Sequence, residues 1–168
     1  GRLMHCDEFM ISVAFITKSG ITPLLQTFQE LEKKGVRGRI LTTDYLMFSE
    51  PDALKTLHSL KNITLTMFCT DNGPGFHTKG YIFKKDETYT FIIGSANMTD
   101  RALAVNKEWN TKLVSTEEGE MYKNITAEFN KLWSDTIHTK SYDEFIDEYR
   151  IRYETIKKQK NVCVKLTK

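Results

Sequence analysis

Residues 9–43, FMISVAFITKSGITPLLQTFQELEKKGVRGRILTT, decide the fold. Residues 9–16 (FMISVAFI) form a short, almost continuous apolar run whose length and β-branched content suit a buried strand. Ser19-Gly20 breaks that run. Thr22 then reads as an N-cap, with Pro23 at the first helical position. Leu24, Leu25, Phe28 and Leu31 follow at helical spacing, and Gly35 reads as the helix stop. Residues 39–43 (RILTT) read as a second strand. A strand–helix–strand unit implies parallel pairing through a right-handed crossover.

The unit repeats downstream. Ser49 is expected to cap a helix over residues 50–60, with Leu54, Leu57 and Leu60 on one face. Residues 62–69 (NITLTMFC) alternate as a strand, and 70–75 (TDNGPG) compose a loop. Residues 77–83 and 89–93 read as a hairpin joined by the charged turn Lys84-Lys85-Asp86-Glu87, and 109–114 as a further strand. Ser115 and Glu118 have capping-box spacing ahead of Met121, Ile125, Phe129, Leu132 and Trp133. Ser141 and Glu144 repeat it ahead of Tyr142, Phe145, Tyr149, Tyr153 and Ile156, an aromatic stripe that reads as a packing face. Lys157, Lys158 and Lys160 suit the C-terminal end of that helix. The expected architecture is α/β, a mixed β-sheet flanked by helices on both faces.

Composition narrows the function classes. A chain of 168 residues fits one domain with a proper core. Its 40% hydrophobic and 27% charged content excludes a disordered tail, a collagen-like fibre and a disulfide-stapled miniprotein. Against 22 Asp and Glu, 24 Lys and Arg leave a net charge of +2, so bulk charge does not announce a nucleic-acid binder. No apolar run approaches the ~20 residues of a membrane span, and no signal peptide opens the chain, so the expected compartment is the cytoplasm. A first residue of Gly1 rather than Met suggests an excised domain. Cys6, Cys69 and Cys163 lack metal-ligand spacing, which predicts reduced thiols and no structural zinc. Lys33, Lys34, Arg37 and Arg39 form the densest early basic cluster; they read as a solvated helix end, or as groups that track a nucleic-acid backbone.

The chemistry concentrates in residues 77–108. His77 and Lys79 are two apart at the start of a predicted strand, so alternation puts both side chains on one face. Gly73 and Gly75 just before them let backbone approach a ligand closely. Ser95 and Asn97, again two apart, follow the next strand. A hairpin can bring the two pairs together. Lys79 then supplies a point charge, Ser95 and Asn97 directed donors, and His77 a nucleophile, the parts needed to hold and attack a phosphodiester. A carboxylate at Glu108 could bond the far nitrogen of His77, fixing its tautomer and raising its basicity.

The stretch HTKGYIFKKDETYTFIIGSAN at 77–97 resembles the HxK…GSxN motif of the phospholipase D superfamily. Glu108 resembles the acidic residue of that superfamily's bacterial endonuclease branch, which includes a metal-independent restriction enzyme. The phrases SVAFIT, GRILT, GFHTKGYIF, IGSANMT and NKEWN resemble a domain at the N-terminus of bacterial DEAD/DEAH-type helicases, over most of residues 7–133. One departure stands out: the wider family writes HxKxxxxD, and the Asp position here is Lys84. The resemblance implies catalysis without metal or other cofactor. One His attacks phosphorus to give a phosphohistidine, a second protonates the leaving oxygen, and water releases the intermediate. Such a site needs two HxK motifs. His138-Thr139-Lys140 repeats the tripeptide, but between two predicted helices and with no strand or GSxN after it, so it reads as coincidence. The resemblance therefore implies a homodimer whose partner copy completes the site.

Two readings follow. In the first, residues 1–138 are a phospholipase D-like nuclease domain acting on DNA, with Lys79, Ser95 and Asn97 binding phosphate and His77, Lys79, Asn97 and Glu108 catalytic. Residues 139–168 are then a C-terminal helix and basic tail that link to a helicase motor in the full-length protein. The chain lacks GxxxxGK[ST] and is not that motor itself. In the second, the module grips DNA phosphates and positions the helicase without cutting, a reading that Lys84 favours. A lipid phosphodiesterase shares the chemistry, but no membrane anchor or amphipathic basic helix supports one.

Overall fold

The computed structural model describes residues 2–70, 79–94, 98 and 110–166, with side chains except at Arg2, Asn110 and 163–166. Seven strands form one mixed sheet in the order β6-β5-β4-β1-β2-β3-β7. The first strand–helix–strand unit is β1 (Glu8–Ser12), α1 (Lys18–Lys33) and β2 (Arg37–Thr43). Helix α2 (Pro51–His58) leads to β3 (Ile63–Phe68). Strands β1, β2 and β3 are parallel, as the crossover reading requires. The hairpin of β4 (Lys79–Lys85) and β5 (Thr88–Gly94) joins antiparallel to β1, and β6 (Asn110–Thr116) extends it. Helix α3 (Glu120–Trp133), β7 (Thr139–Ser141) and α4 (Tyr142–Leu166) follow.

Strand alternation divides the core between the two faces. On one, Phe9, Ile11, Ile40, Leu65, Met67 and Phe83 pack with Ile21, Phe28 and Leu31 of α1, with Leu54 and Leu57 of α2, and with Phe145 and Tyr149 of α4. On the other, Met10, Leu41, Ile82 and Phe91 pack with Phe129 of α3. Helices thus cover both faces, as expected. Residues on both sides of position 138 share the larger core, because Tyr142, Phe145, Ile146 and Tyr149 are buried in it. Arg39 is committed locally: its guanidinium lies over the rings of Phe129 and Trp133 and donates to Asn130 Oδ1 at 3.2 Å.

Three expected caps are corrected. Thr22 does not open α1. Thr17 does, its Oγ1 accepting from the Gly20 N–H at 3.2 Å, and Pro23 lies inside the helix. Carrying the helix through Gly20 costs about 1 kcal/mol of propensity, which burial of the fully enclosed Ile21 side chain more than offsets. Ser49 does not cap α2; Glu50 holds that position and Pro51 is the first helical residue. The Ser49 hydroxyl instead accepts from the Ile16 N–H at 3.1 Å, tying the loop after β1 to the loop before α2. Ser115 stays in β6 opposite Tyr89, and Gly119 precedes α3. The fourth cap forms: the Ser141 N–H donates to Glu144 Oε2 at 2.7 Å. Of the predicted Lys84–Glu87 turn, Lys84 and Lys85 extend β4 and only Asp86-Glu87 turn, with Asp86 at φ 52°. Cys6 and Cys69 are buried free thiols, as expected, and Cys163 lies outside the described side chains.

Several local carboxylates are held in the charged form. Backbone N–H and ring N–H of His138 hold Asp135 below its ordinary 3.8. The Ser141 N–H holds Glu144 below 4.5, and the Asp86 N–H with the Lys85 ammonium holds Asp7 below 3.8. A carboxylate depressed in the folded state stabilises above its unfolded pKa, and that stabilisation is lost as pH falls through the folded value. The urea midpoint is therefore expected to be flat from pH 7 to about 5 and to fall below about 4. The triple variant Asp7→Asn, Asp135→Asn, Glu144→Gln should start lower at pH 7 and lose less on acidification. An unchanged acid slope in the variant contradicts this assignment.

Candidate functional site

The termini of all seven strands lie along one edge of the sheet, β7 included, because its first residue Thr139 pairs with Phe68 at the end of β3. Parallel β1, β2 and β3 end there at Ser12, Thr43 and Phe68. Strand β4 runs against β1 with Gly80 opposite Ser12, so its first residues lie at that edge. Lys79 pairs with Gly94, the last residue of β5, and Gly94 pairs with Asn110, the first of β6. Ligands of open α/β sheets bind outside this carboxyl edge, because the loops that connect the strands gather there.

Stretches 71–78, 95–97 and 99–109 connect the strands at this edge and lie outside the described residues, and with them His77, Ser95, Asn97 and Glu108. The residues on either side of them are described. Lys79 is half-buried on the face of Tyr81 and Phe83. Gly94 and Met98 bracket Ser95 and Asn97. Met98 is fully buried, its N–H donates to the Phe15 carbonyl at 3.2 Å, and its carbonyl accepts from the Thr17 N–H at 3.1 Å. Thr70, the last described residue before 71–78, donates its N–H to Asp44 Oδ1 at 2.8 Å. Sequence reading missed Asp44 as a member of this edge. It is buried and also faces Arg152 of α4 at 3.6 Å. The available signal was a lone acidic residue directly after a β-branched strand.

Lys84, at the family's Asp position, is remote from this edge. It lies five residues along β4 from Lys79, about 16 Å at the rise of a strand. Its ammonium bonds Glu117 Oε1 at 3.2 Å and lies 5.4 Å from the Tyr89 ring centroid. These contacts hold it charged, its pKa raised well above the ordinary lysine value by Tyr89 first and Glu117 second. The exchange of Asp for Lys is thus accommodated at the opposite end of the hairpin.

The second HTK tripeptide is placed differently from its sequence reading. A strand does follow His138: Thr139–Ser141 is β7, antiparallel to β3. It forms because β3 would otherwise present an open edge, and the His138 carbonyl accepts from the Cys69 N–H at 2.9 Å. The His138 ring donates to Asp135 Oδ2 at 2.9 Å and stacks on Phe68 with centroids 5.1 Å apart. Strand β7 lies four strand spacings from β4, about 19 Å. That separation is too large for His138 and Lys79 to hold one phosphate within this chain.

Residues 5–133 match the family model described as "Cardiolipin synthase, PLD-like domain". Among solved structures, the polyphosphate kinase of Porphyromonas gingivalis is similar with a TM-score of 0.62 and 13% identity, over 83% of this chain and 20% of that one. The phosphatidylserine synthase of Haemophilus influenzae Rd KW20 gives a TM-score of 0.58 and 16% identity, over 95% of this chain and 42% of that one. The chain therefore spans less than half of either protein, and at these identities the likeness is one of fold. No curated protein matches the sequence significantly. With the family match across most of its length and the HxK and GSxN strands side by side at one edge, this chain belongs to the phospholipase D-like domain family, within a superfamily of phosphodiesterases and synthases.

Proposed function

We propose that this chain is a metal-independent phosphodiesterase module acting on DNA. The observation that carries the reading is the register of the hairpin: Lys79 lies directly opposite Gly94, so the strand entered from His77 and the strand leading to Ser95 and Asn97 are immediate neighbours. The Lys79 ammonium, the Ser95 hydroxyl and the Asn97 carboxamide take the non-bridging oxygens of the phosphate, and their charge complementarity grows as the pentacoordinate state forms. A His77 ring nitrogen attacks phosphorus. An N–P bond forms, the P–O bond to the leaving strand breaks, and that oxygen takes a proton from a second imidazole. Water then attacks the phosphohistidine and gives a proton to the second imidazole, restoring its protonated form; the P–N bond breaks, and His77 is regenerated. Glu108 orients the imidazole through its other nitrogen.

The second imidazole is His77 of another copy in a two-fold dimer, a reading supported by the four strand spacings between β7, which follows His138, and β4. DNA as substrate rests on the resemblance of residues 7–133 to the N-terminal domain of DEAD/DEAH-type helicases, and a helicase motor in the full-length protein is part of the same proposal. The positioning module without cleavage loses its main support, because Lys84 stands at the far end of β4.

The test is incubation of end-labelled single- and double-stranded DNA with the protein in EDTA, alongside sedimentation. Cleavage that survives EDTA, by a dimer, is expected. Salt-sensitive DNA binding with no cleavage under any metal condition makes the chain a positioning module. A strict monomer at high concentration leaves half a site and contradicts the dimeric mechanism.

A further inference from the structure

Beside the motif edge lies a cleft of about 450 Å³ between the loop after β2 and the outer half of α4, lined by Tyr45, Leu46, Phe48, Thr70, Arg152 and Lys160 among others. Its floor is unusual in two respects. Leu46 and Met47 both have positive φ, 55° and 52°, which non-glycine residues adopt at a cost and which persists where the surroundings over-determine it. That turn leaves Leu46 and Phe48 53% and 43% exposed, although both are large apolar side chains. Its wall on α4 presents two cations, Arg152 and Lys160, against the one buried carboxylate Asp44, whereas Arg150 of the same helix pairs with Asp52 at 3.6 Å outside the cleft. Arg152, Ile156 and Lys160 recur every four residues and so share the stripe that faces the cleft.

The cleft is continuous with the motif edge. Met98, next in sequence to Asn97, bonds the backbone of Phe15. The Phe15 ring meets the Phe48 ring edge-on with centroids 5.0 Å apart. The Lys160 ammonium lies 5.1 Å from the Phe48 centroid. Arg152 faces the buried Asp44 at 3.6 Å yet keeps 46% of its side chain exposed, so one ion pair leaves guanidinium donors facing the opening.

We infer that this cleft is a flanking subsite for single-stranded nucleic acid, in which a base stacks on Phe48 while Lys160 and Arg152 hold the adjoining phosphates. An aromatic platform beside mobile cations is how single strands are held without sequence preference. In the free protein Lys160 covers the ring; on binding, its ammonium moves to a phosphate as the base takes its place. Two strand spacings, about 10 Å, separate β2 from β4. A bound strand therefore reaches the cleft within a few nucleotides of the phosphate at the motif edge. A membrane surface fits less well, since the exposed apolar groups are two and line a concavity.

The subsite rests on the proposal that the motif edge takes a nucleic-acid phosphodiester, and the test separates the two. Fluorescence anisotropy with labelled dT3, dT6 and dT12 measures binding, and hydrolysis of bis-p-nitrophenyl phosphate, which is too short to reach the cleft, measures chemistry. Wild type is expected to bind dT6 and dT12 much more tightly than dT3. Phe48→Ala should weaken dT12 binding about tenfold, and Lys160→Glu should weaken it similarly while flattening the salt dependence by about one phosphate contact. Both variants should hydrolyse the small diester at the wild-type rate. Unchanged dT12 affinity in both variants overturns the subsite. So does binding of anionic phosphatidylglycerol vesicles that both variants abolish while dT12 binding persists. Failure of wild type to hydrolyse any diester while the variants still lose dT12 affinity keeps the cleft as a binding site and overturns the catalytic proposal instead.

Discussion

His77→Ala is expected to lower phosphodiester hydrolysis by at least about 10⁴-fold, with DNA affinity changed much less. Removing a covalent nucleophile eliminates the two-step route entirely, and enzymes that lose one retain only the catalysis that binding and electrostatics supply. Lys79→Ala should cost about 10²- to 10³-fold, the scale of losing one donor aimed at developing charge. Lys79 sits half-buried at the head of β4, opposite Gly94. Its loss should therefore act on rate and phosphate affinity with little effect on folding. The contrast with Lys84 is the informative control. Lys84→Asp, which restores the wider family's residue, breaks the contact to Glu117 at the far end of the hairpin and should leave the hydrolytic rate unchanged. Steady-state rates and anisotropy on the three variants check this set. Activity surviving in His77→Ala sinks the role given to His77.

The largest effect on stability is expected where β1 crosses β2. Phe9 and Gly38 are register partners, and the Phe9 ring lies over the glycine. A Cβ added at Gly38 would sit 1.9 Å from Phe9 Cζ, closer than any atom pair tolerates. The ring has nowhere to go, because it is fully buried and packs tilted against Phe28 with centroids 5.7 Å apart. Gly38→Ala should destabilise by about 3 kcal/mol, the upper end of overpacking, and Phe9→Ala by about 3–5 kcal/mol through the cavity it leaves. For a chain of this length each kcal/mol lowers the melting temperature by about 2–4 °C. Phe9→Leu combined with Gly38→Ala should be less destabilised than the two single changes summed, by about 1 kcal/mol, since the smaller side chain makes room for the methyl. Strict additivity in thermal melts contradicts the account of why residue 38 is glycine.

What could be read from sequence was whatever a local pattern determines. The apolar run read at 9–16, which is strand only as far as Ser12, the helical spacing of Phe28 and Leu31, and the hairpin read at 77–83 and 89–93, described from Lys79 on, each follow from a local pattern. The caps at Thr22, Ser49 and Ser115 were misread because a hydroxyl serves several partners, and tertiary contacts choose among them. The Ser49 hydroxyl receives the Ile16 N–H, 33 residues away, and its carbonyl receives the Tyr149 hydroxyl, 100 residues away. Strand β7 was invisible because Thr139-Lys140-Ser141 has no apolar alternation and pairs only by the edge that β3 offers. At the candidate site, the spacing of His77, Lys79, Ser95 and Asn97 was legible, and the register of Lys79 on Gly94 supports it. The placement of Lys84 at the far end of β4, the anchoring by Asp44 and the cleft beneath α4 were not legible. Each depends on which end of a strand, or which turn of a helix, faces the edge.

The covalent step at His77 is open to intact-mass and peptide mass spectrometry of a rapidly quenched reaction. With a short 5′-labelled DNA strand in EDTA, an acid-labile adduct on the peptide that contains His77 is predicted, absent from His77→Ala and lost over time as water releases it. Turnover that proceeds with no adduct on His77, or that stops entirely in EDTA, would contradict the mechanism.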